Sequence, residues 1–167
     1  MTHHQTLFPD IDGYWFAVSS QDPRAYALMT RHYSFRHYRD NRDRTRRGGR
    51  SVGGCSERII LLTGDETALF AWTRHSDNQR FDGQEGVMCS IFRNEGQTRS
   101  SDLIREACAI AWRRWPNQRL YTYVADTKVK SVNPGYCFKM AGWSACGRNK
   151  DGRLTVLELM PDAKCEP

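Results

Sequence analysis

The run Met88-Cys89-Ser90-Ile91-Phe92-Arg93-Asn94-Glu95-Gly96-Gln97-Thr98-Arg99-Ser100-Ser101-Asp102, continued by Leu103 to Trp115, decides how the chain folds. Met88 to Phe92 is short, apolar and strand-like. Beyond Asp102, Leu103, Ile104, Ala107, Cys108, Ala111, Trp112 and Trp115 follow the i, i+3, i+4 spacing of one buried helical face. A polar turn with a single glycine separates the two. Where a strand end meets a helix start, α/β proteins bind anions, because the first helical N–H groups lack intrahelical partners. Ser100 or Ser101 is placed to cap that helix, and Asp102 suits its positive end. An ordinary capped turn between strand and helix fits the same residues equally well.

Working outward, Gly13 to Ser20 is a strand by its aromatic and β-branched content. Asp22-Pro23 then opens a helix through Tyr26, Leu28 and Met29. Arg58–Leu62 and Ala68–Trp72 flank Thr63-Gly64-Asp65-Glu66, a hairpin signal. Gly86–Phe92 is the strand that leads into the central helix, Ser101–Trp115, which Pro116-Asn117 stops. Arg119–Ala125 alternates as a strand. Asn133 to Trp143 reads as a short helix with Asn133 as cap, Pro134 at its first position and Gly142 as its stop. A last hairpin, Ser144–Gly147 and Leu154–Met160, turns at Asp151-Gly152, and residues 161–167 form a tail. The order β α β β β α β α β β is an α/β fold of the α+β kind. An antiparallel meander passes into a βαβ unit, and helices flank a mixed, mostly antiparallel twisted sheet.

One domain spanning residues 1–167 is expected from the length. No run of eighteen apolar residues is present, so no membrane span is expected. Met1 to Asp10 holds no apolar signal core, which points to the cytoplasm and to reduced thiols for the six cysteines. None of these forms a Cys-x-x-Cys pair, and no metal site is expected. Cys89 and Cys108 read as small core residues. The net charge of +6 is local: Arg31 to Arg50 holds eight arginines against Asp40 and Asp43, and the rest of the chain is balanced. Residues 36–55 carry few apolar groups and two Gly-Gly pairs, so a loop is expected, mobile unless a partner holds it.

This order of elements resembles the GNAT superfamily of acyl-CoA-dependent N-acyltransferases. Tyr136-Cys137-Phe138-Lys139-Met140-Ala141-Gly142-Trp143 looks like the family's late helix beside the pantetheine, with its aromatic-x-x-x-Gly-aromatic ending. The family's phosphate turn, Gln/Arg-x-x-Gly-x-Gly/Ala, corresponds here to Asn94 to Ser101, in which Gly96 is kept and Ser100-Ser101 replace the small pair. The resemblance implies acetyl-CoA or another acyl-CoA as donor, with Arg93, Asn94, Gly96, Arg99, Ser100, Ser101 and Asn133 as the residues that hold it. A narrower resemblance is to Mom-type DNA-modification proteins of bacteriophages, which are divergent GNAT-like proteins. It rests on His32-Tyr33-Ser34, on Arg93-Asn94-Glu95 with Ser100-Ser101, and on Asn133-Pro134-Gly135-Tyr136 with Ala141-Gly142-Trp143. It implies attachment of a small group to a base amine in DNA, adenine in the Mom case, in the host cytoplasm.

Transfer to an amine needs a group that removes the amine proton, donors for the developing oxygen charge and an acid for the leaving group. Glu95 at the strand end is the first candidate base and His32 the second, its ring titrating near neutrality. By the GNAT resemblance Tyr136 takes the position of an acid for the leaving group, though an aromatic packed under the last hairpin fits equally well, and Tyr33 and Ser34 complete the candidate catalytic set. Tyr33 and Tyr123 can flank a base by stacking or simply fill the core. Cys137 reads as a buried helical cysteine rather than a nucleophile. Arg36, Arg39, Arg42, Arg44, Arg46, Arg47 and Arg50, interleaved with aromatic residues, offer phosphate contacts and stacking surfaces, so DNA is the expected partner. Two other readings stay open: a conventional acetyl-CoA N-acetyltransferase acting on a small-molecule or protein amine, and a non-catalytic GNAT-like protein that binds nucleic acid. Oligomeric state is not legible.

Overall fold

The computed structural model of the chain describes residues 13–35, 51–53, 57–76, 82–129 and 132–162. Seven strands form one sheet: β1 (Trp15–Val18), β2 (Glu57–Thr63), β3 (Ala68–Arg74), β4 (Val87–Asn94), β5 (Leu120–Val124), β6 (Ser144–Arg148) and β7 (Thr155–Leu159). Among the described residues three helices accompany them: α1 (Pro23–Thr30), α2 (Ser100–Arg114) and α3 (Tyr136–Met140). The spatial order is β1-β2-β3-β4-β5-β7-β6. Every neighbouring pair is antiparallel except β4 and β5, which run parallel because α2 crosses over between them. This is the meander passing into a βαβ unit that the sequence pattern implies.

The sheet buries both faces. On one face lie Trp15, Leu61, Phe70 and Trp72 with the apolar stripe of α2 (Leu103, Ile104, Ala107, Cys108, Ala111) and with Phe138 and Trp143. Two indoles tie α2 down: Trp15 Nε1 donates to the Leu103 carbonyl at 2.8 Å and Trp72 Nε1 to Ala107 at 2.9 Å. The other face packs Ile60, Leu62, Leu69 and Ala71 against Ala25, Leu28 and Met29 of α1. Val52 joins this second cluster, fully buried, and its N–H donates to the Ser20 carbonyl at 2.7 Å. Residues 36–50 and 54–56 lie outside the described residues, and with them seven of the eight clustered arginines.

Local signals explain most boundaries. Asp22 caps α1 by accepting the Arg24 and Ala25 N–H groups, and Pro23 fills the first position. Gly142, at φ 97°, ends α3 in a Schellman arrangement: Trp143 N–H donates to Phe138 and Gly142 N–H to Lys139. Two expectations are corrected. Pro134 is not the first residue of α3, since Asn133 to Tyr136 is a turn closed by a 3.0 Å bond and the helix begins after Gly135. Gly135 has φ 75°, and a Cβ there would lie 2.6 Å from Leu157 Cδ1, so the helix starts where the chain clears β7. Neither Ser100 nor Ser101 caps α2: Arg99 is the cap residue with no side-chain bond, and Ser100 Oγ accepts from Asn94 instead.

Cys89, Cys108, Cys137 and Cys146 are free thiols, and Cys55 and Cys165 lie outside the described residues. Among the described residues no helix is long and apolar enough to cross a membrane.

Candidate active site

The parallel pairing of β4 with β5 covers only Val87–Cys89 against Leu120–Thr122. The buried Thr122 hydroxyl donates to the Cys89 carbonyl at 2.9 Å, beside the last rung. Beyond it the strands part. Ser90 is an extra residue in β4: the register to β3 jumps from Trp72↔Cys89 to Ala71↔Ile91. Such a bulge bends and twists its strand locally. From Ser90 to Phe92, the edge of β4 that faces β5 has no strand partner.

Two cavities occupy this gap. The smaller, of about 180 Å³, runs toward α3 and is lined by Phe92, Val124, Val129, Gly135, Cys137 and Phe138. The larger, of about 470 Å³, opens toward the turn between β6 and β7, past Thr127, Lys128, Asn149, Asp151, Arg153 and Leu154. His32, Tyr33, Cys89, Ser90 and Tyr123 belong to both. The cavities therefore meet at the bulge, under the segment that follows α1.

That segment holds three of the candidate residues together. His32 Nδ1 lies 2.7 Å from Ser34 Oγ and accepts the Ser34 backbone N–H at 3.2 Å. Burial brings the imidazole down to about 4, the nearby Arg93 charge adds to this, and a bond to the Phe92 backbone opposes it. The ring is neutral at pH 7. Tyr33 stacks on it with centroids 4.4 Å apart. Burial pushes the Tyr33 phenol up, a bond from the Ala125 backbone pulls it down, and the charge of Asp126 adds a smaller upward contribution. Asp126 itself accepts from Thr155 Oγ1 at 2.8 Å and pairs with Arg148 at 3.2 Å.

Glu95 stands apart from this group and lines neither cavity. Its carboxylate is gripped by Arg31 (Nε 2.7 Å, Nη2 3.0 Å) and by Arg93 (Nε 2.6 Å). These bonds, led by Arg31, bring it down to about 2. A carboxylate held so low is a weak proton acceptor. Arg93 also donates to the Arg31 carbonyl at 2.6 Å, so the cluster ties the end of α1 to the end of β4.

The turn before α2 is built around Asn94. Its amide nitrogen donates to the Thr98 carbonyl at 2.7 Å and to Ser100 Oγ at 3.0 Å, and its oxygen accepts Gly96 N–H at 2.9 Å. Gly96 is required by close approach, because a Cβ would fall 2.2 Å from Thr67 Oγ1. Ser100 and Ser101 open the helix, and among the described residues their N–H groups make no backbone hydrogen bond. Arg99 is exposed at the cap, while Ser101 is buried.

At α3 the expected acid is displaced. Tyr136 is 55% exposed and lines neither cavity; its neighbour Cys137 does, with burial pushing its thiol up. Asn133 Oδ1 accepts from Lys139 Nζ at 2.7 Å. Arg36, Arg39, Arg42, Arg44, Arg46, Arg47 and Arg50 lie outside the described residues. Sequence reading missed Cys89, Ser90, Thr122 and Lys128 as site residues. A bulge leaves no mark in one strand's pattern, and the others sit in runs that read as plain strand or loop.

No family model matches this chain, and no curated protein matches it. Among solved structures, a Bordetella pertussis protein assigned provisionally to the GnaT acetyltransferase family superposes with a TM-score of 0.55 at 13% identity, over 92% of this chain and 98% of that one. The chain has the GNAT-like fold: a mixed α+β sheet, mostly antiparallel, flanked by helices. The narrower likeness to Mom-type proteins gains no support from this neighbour.

Proposed function

We propose that this protein transfers an acyl-type group from an acyl-CoA to an amine. The meeting of the two cavities at the β4 bulge carries this reading. A donor entering from the α3 side and an acceptor entering from the turn between β6 and β7 converge on the same wall, which supplies proximity and orientation. The donor's chemistry suits the residues present. The smaller cavity is largely apolar, as a pantetheine and acyl chain require. The start of α2 offers unpaired N–H groups and the exposed Arg99 to phosphates. Arg31 and Arg93 neutralise Glu95, so that carboxylate does not repel an anion at the turn.

An acyl-CoA bound there supplies a carbonyl activated as a thioester. The chain's own part is to hold the amine nitrogen against that carbonyl and exclude competing water. The edge of β4 from Ser90 to Phe92, which no strand pairs, is the stretch nearest to serving as donor to the developing oxygen charge. Proton removal falls to water in the larger cavity, since Glu95 and Tyr136 line neither space and both ring nitrogens of His32 are already bonded, and the proton leaves with the departing CoA thiolate.

A nucleic-acid base as the acceptor amine, the Mom-like reading, draws on the clustered arginines. The segment that carries them leaves directly from the cavity roof at Ser34-Phe35. Both of its flanks are held against α1: Phe35 packs on Tyr26 at 6.2 Å and Val52 is buried beside Leu28.

Calorimetry with acetyl-CoA tests the donor, and binding in the micromolar range is expected. An absence of heat at millimolar ligand would remove the donor and favour a binding-only protein. DNA from expressing cells, digested and weighed as nucleosides, tests the acceptor. Unmodified nucleosides alongside acetyl-CoA binding would leave the small-molecule or protein acetyltransferase.

A further inference from the structure

We infer that the larger cavity is a stacking slot for a planar aromatic amine, with a rim that favours an anionic substituent. The inference rests on the group-transfer reading only in calling the guest an acceptor.

Three rings wall the cavity: His32, Tyr33 and Tyr123. Each has its polar end already bound to the protein. Tyr123 Oη donates to Asp82 Oδ2 at 2.8 Å, and Tyr121 Oη donates to the same oxygen at 3.2 Å. Tyr33 is bonded to the Ala125 backbone, and His32 is held between Ser34 and the Phe92 backbone. With these polar atoms engaged, and only the Tyr33 hydroxyl proton left to donate, the side chains offer a guest chiefly their faces. His32 and Tyr33, stacked at 4.4 Å and tilted 32° to each other, form one fixed pair that presents an outer ring face. Tyr123 is further fixed edge-on by Tyr121 at 5.9 Å. Pre-set aromatic faces bind flat rings at little ordering cost.

The rim adds charge. Lys128 and Arg153 line the opening, and Asp151, 3.9 Å from Arg153, offsets one of them. One positive charge remains, which suits a phosphate or carboxylate on the guest and disfavours a flexible polycation.

The test is equilibrium binding by the full chain with saturating CoA present, so that the donor site cannot take the probe. The probes are adenosine monophosphate, 4-aminobenzoate, adenosine and spermidine. Both aromatic anions are expected to bind about tenfold or more tighter than spermidine. Adenosine should bind more weakly than its monophosphate. Tyr123→Phe keeps the ring and should hold affinity within about twofold, whereas Tyr123→Leu should lose about tenfold. Lys128→Gln, at an exposed position, should weaken the monophosphate and leave adenosine unchanged. A single-stranded oligonucleotide that binds far more tightly than the monophosphate assigns the anion to a strand; equal binding assigns it to a free small molecule. The inference is overturned if spermidine binds best, if no aromatic probe binds, or if Tyr123→Phe is as damaging as Tyr123→Leu. Failure of acetyl-CoA to bind, with the aromatic probes still binding, would remove the transfer reading and leave the slot.

Discussion

Asn94 commits its whole amide to the turn it belongs to, with three hydrogen bonds to Gly96, Thr98 and Ser100. Its sequence position suggests a cofactor ligand; its geometry makes it the turn's organiser. His32 shows the reverse. Its proximity to Tyr33 and Ser34 was legible, but its ionisation was not, because burial sets it. Its folded value of about 4 lies below the ordinary 6.5, so the unfolded chain binds this proton more tightly. The contribution of the neutral ring is therefore intact above about pH 6.5 and is lost as pH falls toward 4. Urea unfolding at pH 7, 5.5 and 4.5 should show stability falling with pH across this window. His32→Gln should flatten that slope, and an unchanged slope would mean other groups govern it.

At the scale of elements, the strands and helices of the described residues are readable in order because each carries its own period and punctuation. What one segment cannot show is how closely it passes another. The start of α3 was misplaced for that reason. Gly135 is pressed by Leu157 and Val124 from two different strands and takes a positive φ to clear them. Gly135→Ala should cost about 1–3 kcal/mol, from backbone strain and overpacking together. The measurement is the fall in thermal midpoint that Gly135→Ala causes in the native chain and in a Leu157→Ala background. The fall should be smaller but not absent in that background, because the left-handed backbone remains. The gap between β4 and β5 is a second case. It depends on the bulge at Ser90 and on pairing that ends at Thr122, and neither strand's sequence announces it.

At the scale of the whole molecule, the net charge belongs to one stretch of the sequence. The excess positive charge lies between Arg31 and Arg50, while the two faces of the sheet are covered by α2 with α3 and by α1. If six of the arginines meet phosphate, log affinity for DNA should fall with log salt at a slope of about −5. Replacing three of Arg36, Arg39, Arg42, Arg44, Arg46, Arg47 and Arg50 with Gln should reduce that slope by about 3. A slope near zero would remove DNA as the partner while leaving the acetyl-CoA prediction untouched.

Sequence alone determined the element order, the sheet type, the stripe on α2 and the local charge, because periodicity and net charge are properties of contiguous residues. Tertiary structure decided the rest. It paired Glu95 with Arg31 across 64 positions, brought the His32 segment over the end of β4, and moved Tyr136 off the cavities while seating Cys137 on one. Those outcomes follow from burial and from contacts between distant segments, which no local pattern encodes.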